Sequence, residues 1–102
     1  MYRSYPNRPS FPPVNPDTFM QSAGETDRLL TDAKKLLERV QSSESYATQI
    51  MNAAQESKKE EVKQLVKASG IESQIDVLFT PSSLKLDLIS SQGSRIELVM
   101  RW

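Results

Sequence analysis

Cysteine and histidine are both missing from this 102-residue chain. The first absence excludes disulfides, a thiolate nucleophile and sulfur-based zinc sites. The second removes the commonest general base and the commonest metal ligand. A metal site would have to be all oxygen, suiting calcium or magnesium, and no D-x-[DN]-x-[DN]-G loop is present. Charge of one sign is missing too. Thirteen basic and 13 acidic side chains cancel, which argues against nonspecific nucleic-acid binding. Apolar runs are short, as in Val77-Leu78-Phe79 and Leu98-Val99-Met100, whereas spanning a bilayer takes about 20 apolar residues. Gly24 and Gly70 belong to no phosphate-cradling pattern. The expectation is therefore no catalytic residue, no cofactor, no metal and no small-molecule substrate. The opening MYRSYPNRPSFPP has no apolar core and does not read as a secretory signal. Synthesis and retention in the cytoplasm are expected, unless an assembly carries the chain elsewhere.

What is present falls into three zones. Residues 1–16 hold five of the six prolines, and Pro6, Pro9 and Pro12 recur at the period of a polyproline II helix. Tyr2, Tyr5 and Phe11 lie among them. Such an arm would span about 50 Å if extended. Its PxxP spacing resembles ligands of polyproline-binding grooves. A disordered tail is the default for such a composition, but three aromatics are unusual in one.

Residues 17–69 read as helices. Asn15-Pro16-Asp17 is a start signal: Asn15 can cap, Pro16 suits the first helical position and Asp17 complements the dipole. Phe19, Ala23, Leu30, Ala33, Leu37 and Val40 follow helical spacing, with Leu29 and Leu36 widening the stripe. Ser42-Ser43 breaks the run and can cap a second helix with Tyr46, Ala47, Ile50, Met51 and Ala54 on one face. Ser57-Lys58-Lys59-Glu60 fits a capping box. A third helix would turn Val62, Leu65 and Val66 inward and stop at Gly70. A second helix continuous through residue 57 is the open alternative.

Residues 74–102 change period from 3.6 to 2. Ile75, Val77 and Phe79, then Leu84, Leu86 and Leu88, then Ile96, Leu98, Met100 and Trp102 alternate with mostly polar neighbours. Pro81-Ser82-Ser83 and residues 90–94 supply turns short enough to force an antiparallel meander. The predicted fold class is α+β: a proline-rich arm over 1–16, then a single domain over 17–102 whose helices cover one face of three strands. The other face is expected to carry charges with opposite signs available across strands. It also carries Leu78, Ile89 and Val99. These are either scattered exposed residues or a contact patch, depending on register.

Two constellations invite a chemical reading. Ser82-Ser83-Leu84-Lys85 matches the S-x-x-K of serine acyl-enzymes, but it falls in a turn and lacks the S-D-N and K-T-G partners. With 14 serines and seven lysines, about one match is expected by chance. Glu56, Glu60 and Glu61 stand among Lys58, Lys59 and Lys63, as on a solvated, charge-mixed face. The same lysines with Lys67 form a diluted basic stripe that could touch anionic lipid peripherally.

Three stretches carry a resemblance. Phe11 to Ala23 (FPPVNPDTFMQSA), Gln49 to Lys58 (QIMNAAQESK) and the closing Met100-Arg101-Trp102 resemble small proteins of spore-forming Bacillus and relatives, over nearly the whole chain. The resemblance implies a spore-associated protein of the inner spore layers or coat, with no assigned enzymatic activity and no functional residues to carry over. It also leaves oxidative cross-linking through Tyr2, Tyr5 and Tyr46 open. The reading is a non-catalytic structural protein working through protein partners or self-association. The proposed contact residues are Tyr2, Tyr5, Pro6, Pro9, Phe11, Pro12, Leu78, Ile89 and Val99, together with the open edges of the first and third strands. The alternative is a monomeric adaptor that binds a partner through its arm.

Overall fold

A computed structural model describes residues 13–102. Three helices precede a three-stranded antiparallel sheet: α1 Asp17–Ser42, α2 Glu44–Gln55, α3 Lys59–Lys67, β1 Gln74–Thr80, β2 Ser83–Ile89 and β3 Arg95–Arg101. This is the expected α+β order.

The start of α1 lies one residue later than expected, with Pro16 at the N-cap instead of the first helical position. Asn15 Oδ1 accepts the Asp17 N–H at 3.0 Å, and Pro16 precedes the first helical residue with no N–H to leave unpaired. The buried line of α1 is Glu25, Leu29, Ala33 and Leu36, with Val40 half-buried. Spacings of four and three keep these on one side of the helix. Phe19, Ala23 and Leu30, expected on the inward stripe, are exposed instead, Phe19 at 80%. They lie about a quarter-turn round the helix from the buried line. A helix with two apolar stripes presents only one to a single body, and the stripe centred on Leu29 and Leu36 wins.

Ser43 caps α2, its Oγ accepting the Tyr46 N–H at 3.1 Å. Tyr46, Ile50, Ala53 and Ala54 are buried, whereas Met51 is partly exposed, so Ala53 takes the inward place expected of Met51. The capping box at residue 57 does not form. Ser57 adopts φ +58 and ends α2 in the left-handed region. Its N–H reaches Ala54 O at 3.0 Å and the Lys58 N–H reaches Ala53 O at 2.9 Å, the two bonds of a Schellman ending. That conformation separates α2 from α3 and leaves α3 without a side-chain cap. Val62 and Val66 of α3 are fully buried and Leu65 is half-buried. Past α3, Gly70 takes φ +107, and Arg39 Nη1 donates to Ala68 O at 2.8 Å across from α1.

The strands pair in the order β1-β2-β3. Thr80 pairs with Ser83 across a two-residue turn, Val77 with Leu86, and Leu86 with Leu98. The inner face packs on the helices. Leu84, Leu86 and Leu88 of β2 are buried, as are Ile75 and Val77 of β1. Ile96, Leu98 and Met100 of β3 are only half-buried.

Candidate interaction surfaces

The register sorts the outer sheet face into four rows. Thr80, Ser83 and Arg101 form the first, Leu78, Lys85 and Val99 the second, Asp76, Asp87 and Glu97 the third, and Gln74, Ile89 and Arg95 the fourth. Leu78 and Val99 therefore share a row, flanking Lys85, and are 57% and 63% exposed. Ile89 sits two rows away. The residues do not form one patch, because successive rows on a face are about 7 Å apart along the strand.

In the third row three carboxylates align, and like charges directly opposite are unfavourable; the opposite signs expected across strands meet on the diagonal. Lysines from both sides offset the carboxylates: Lys59 Nζ lies 3.9 Å from Asp76 Oδ1, and Lys85 Nζ 3.2 Å from Glu97 Oε2. Asp87 Oδ1 has no hydrogen-bond partner among the described residues. The Lys85 ammonium is thus engaged with Glu97. The hydroxyls of the S-x-x-K stretch serve the turn: Ser82 Oγ and Ser83 Oγ lie 3.4 and 3.1 Å from Thr80 Oγ1, which also accepts the N–H groups of both serines at 3.2 and 3.1 Å. The lysine–glutamate face at the start of α3 is solvated, with Lys58 Nζ 2.8 Å from Glu56 Oε1. The Glu56 carboxylate accepts a hydrogen bond from that ammonium and, with Glu61, holds its pKa above the usual lysine value.

Three polar anchors, unmarked by any motif, set these surfaces in place. Glu25 is buried and its Oε1 accepts from Ser90 Oγ at 2.7 Å. Ser90 Oγ in turn accepts the Ser94 N–H at 2.9 Å, and the Ser94 hydroxyl meets Ser22 Oγ at 3.0 Å. This network ties the β2–β3 turn to the front of α1. Asp32 does the same for the α3–β1 loop. Its Oδ2 accepts the Ser73 and Glu72 N–H groups at 3.0 and 3.2 Å, and Lys35 Nζ lies 3.6 Å from Oδ1. Burial pushes the Asp32 carboxyl up, but hydrogen bonds from Ser73 and Glu72, with the Lys35 charge, outweigh it and hold its pKa below the usual value. Tyr46 is the third anchor. Its hydroxyl donates to Leu65 O and Arg39 stacks 4.2 Å above its ring. Burial raises its pKa against the opposing Arg39 charge and a Ser69 hydrogen bond. At 3% exposure Tyr46 is withdrawn from any surface cross-link. The only sequence signal for Glu25 and Asp32 was their helical phase: Glu25 precedes Leu29 by four, and Asp32 precedes Leu36 by four.

An open groove of about 430 Å³ runs between the end of α2 and the β1–β2 turn, lined by Met51, Ala54, Phe79, Pro81 and Trp102. Trp102 Nε1 donates to Thr80 O at 2.8 Å, which holds the indole against the turn. No cluster of acids fit to hold a metal ion occurs among the described residues. None of the described helices is long and apolar enough to cross a membrane. Tyr2, Tyr5, Pro6, Pro9, Phe11 and Pro12 lie outside the described residues.

The described residues thus form a small α+β body with Leu78 and Val99 exposed on its outer sheet face. The chain belongs to the family described as YuzC spore coat inner layer protein, whose model matches residues 16–98. It is 35% identical over 95 residues to the Bacillus subtilis (strain 168) protein named Uncharacterized protein YuzC, covering 93% of this chain and 77% of that protein. No solved structure matches. The family places the chain in the bacterial spore, as the resemblance of its opening, middle and closing stretches implied.

Proposed function

We propose that the protein is a non-catalytic structural component of the inner spore coat that works through protein–protein contacts. Family membership supports the location. The observation that carries the contact reading is the outer row in which Leu78 and Val99 stand exposed on either side of Lys85. Neither side chain contributes to the core, and each offers apolar area that association would remove from water. Ile89 is a separate, half-exposed contact point beside the groove between α1 and the sheet.

The test is the double substitution Leu78→Lys, Val99→Lys, introduced after circular dichroism shows that the fold is kept. Loss of incorporation into the coat is the expected result. Normal incorporation removes the outer face from the reading. The arm residues Tyr2, Tyr5, Pro6, Pro9, Phe11 and Pro12 are proposed as a second contact element. Replacing Tyr2, Tyr5 and Phe11 together by serine would weaken capture of a coat partner, and unchanged capture would discard the arm.

A further inference from the structure

The open edge of β3 has a feature the other elements lack. Trp102 N donates to Ser82 O at 3.2 Å, and the register pairs Leu84 with Met100 and Leu86 with Leu98. Even-numbered β3 residues therefore spend their backbone groups on β2. In an antiparallel pair the alternation sends the N–H and C=O of Arg95, Glu97, Val99 and Arg101 the other way, to the open edge. Natural edges are commonly blunted by proline, a bulge or an inward-pointing charge. β3 has none of these; its charges, Arg95, Glu97 and Arg101, all lie on the outer face and include both signs. Its inner residues are Ile96, Leu98 and Met100, and all three remain half-exposed. Among the described residues, an unpaired edge thus runs beside an unfinished stretch of core.

We infer that β3 pairs antiparallel with β3 of a second copy, about a two-fold axis through Val99, joining two three-stranded sheets into one of six strands. The register follows from charge and from the pleat. Pairings of odd with even residues would set inner side chains against outer ones and are excluded. A register centred on Leu98 faces Arg95 with Arg101 of the second copy twice over. One centred on Glu97 faces that carboxylate with itself. One centred on Ile96 overlaps only three strand residues and runs Val99 into the turn at Gly93. The register centred on Val99 faces Glu97 with Arg101 of the second copy at both ends, Val99 with itself, and Leu98 with Met100 on the inner side. Charge complementarity and apolar matching coincide only there. The outer apolar row becomes continuous as Leu78, Lys85, Val99, then Val99, Lys85, Leu78. The β1 edge is a poorer template, since α3 packs against that strand and Lys59 of α3 pairs with its Asp76.

This inference rests on the reading that the chain works through protein contacts, and specifies a second copy as the partner. The absence of cysteine makes the test clean. Directly opposed, hydrogen-bonded residues have Cα atoms about 5.5 Å apart, within the span of a disulfide. Under mild oxidation Val99→Cys is expected to give a cross-linked dimer at least tenfold faster than Leu78→Cys, a comparably exposed control in the same row. By light scattering the unmodified chain is expected to be a dimer. Glu97→Arg and Arg101→Glu each weaken it at least tenfold, and the two swaps together restore it. Restoration shows that neither single substitution acted by unfolding. A chain that stays monomeric, equal cross-linking of the two cysteine variants, or a dimer indifferent to Arg101→Glu would overturn the inference. Strengthening by Arg101→Glu would overturn it in favour of the Leu98-centred register. If these tests fail while Leu78→Lys, Val99→Lys still abolishes coat incorporation, the contact reading stands with a different protein as partner.

Discussion

β2 and β3 have the same length and the same strict alternation, yet they end at different depths. Leu84, Leu86 and Leu88 are 4%, 0% and 0% exposed, while Ile96, Leu98 and Met100 are only half-buried. Alternation decides which face a side chain takes. Place in the sheet decides how much covers it: among the described residues β2 has a strand on each side and helices above, whereas β3 has a strand on one side only. α1 repeats the lesson in helical form. Its Leu29–Leu36 line is buried, and its Phe19–Leu30 line, equally apolar and a quarter-turn away, faces solvent. Equal sequence patterns do not carry equal energies when the surroundings differ.

The comparison breaks most sharply on matched truncations. Leu86→Ala is expected to cost about 3 kcal/mol of stability and Leu98→Ala about half as much, since only the first empties a fully enclosed site. Urea unfolding of both variants checks this. Equal costs would mean that β3 is covered as well as β2, which a dimer persisting at the protein concentration used would produce. Dilution should then separate the two values.

Asp32→Asn comes next. Replacing the carboxylate weakens the charge-assisted bonds to the Ser73 and Glu72 N–H groups and removes the Lys35 pair, for about 1–2 kcal/mol at neutral pH. The folded pKa lies below the unfolded one, so this stabilisation is present above the ordinary aspartate value near 3.9 and is lost as pH falls through the folded pKa. Melting curves of the two proteins should therefore converge in acid. A gap unchanged down to pH 2 would show that Asp32 acts by packing alone.

Ser57→Gly should raise stability by about 0.5–1 kcal/mol, because a left-handed residue with a Cβ carries a conformational cost that glycine avoids. A Ser57 that capped α3 would give the opposite sign. Smallest of all, Phe19→Ser with Leu30→Ser should shift stability by no more than about 0.5 kcal/mol in the isolated chain. A larger loss would place the second stripe of α1 inside an interface.

Much of this architecture was legible in the residues. Asn15-Pro16-Asp17 and Ser43 marked the two helix starts, Gly70 followed the last helix, and the change of period near residue 74 announced the strands. Each is a local rule that acts within a few residues. The missed features are of another kind. Ser57 fits a capping box locally, but its backbone is taken by the end of α2. Met51 and Ala53 each lie within the reach of an apolar face, and the neighbours of α2 choose between them. The surface was half-legible. Leu78, Ile89 and Val99 were identifiable as outward-facing, but the register alone separates Ile89 from the other two and aligns Asp76, Asp87 and Glu97.

The sequence by itself determined the element order, the antiparallel meander and the absence of thiol and imidazole chemistry, because caps, periodicity and composition are properties of neighbouring residues. Only the tertiary structure decided which stripe of α1 is buried, that Glu25 and Asp32 hold two distant loops, and that Leu78 and Val99 share a row from which Ile89 is separated. Those outcomes depend on residues far apart in the chain meeting across a shared core, where competing apolar faces exceed the surface available to cover them.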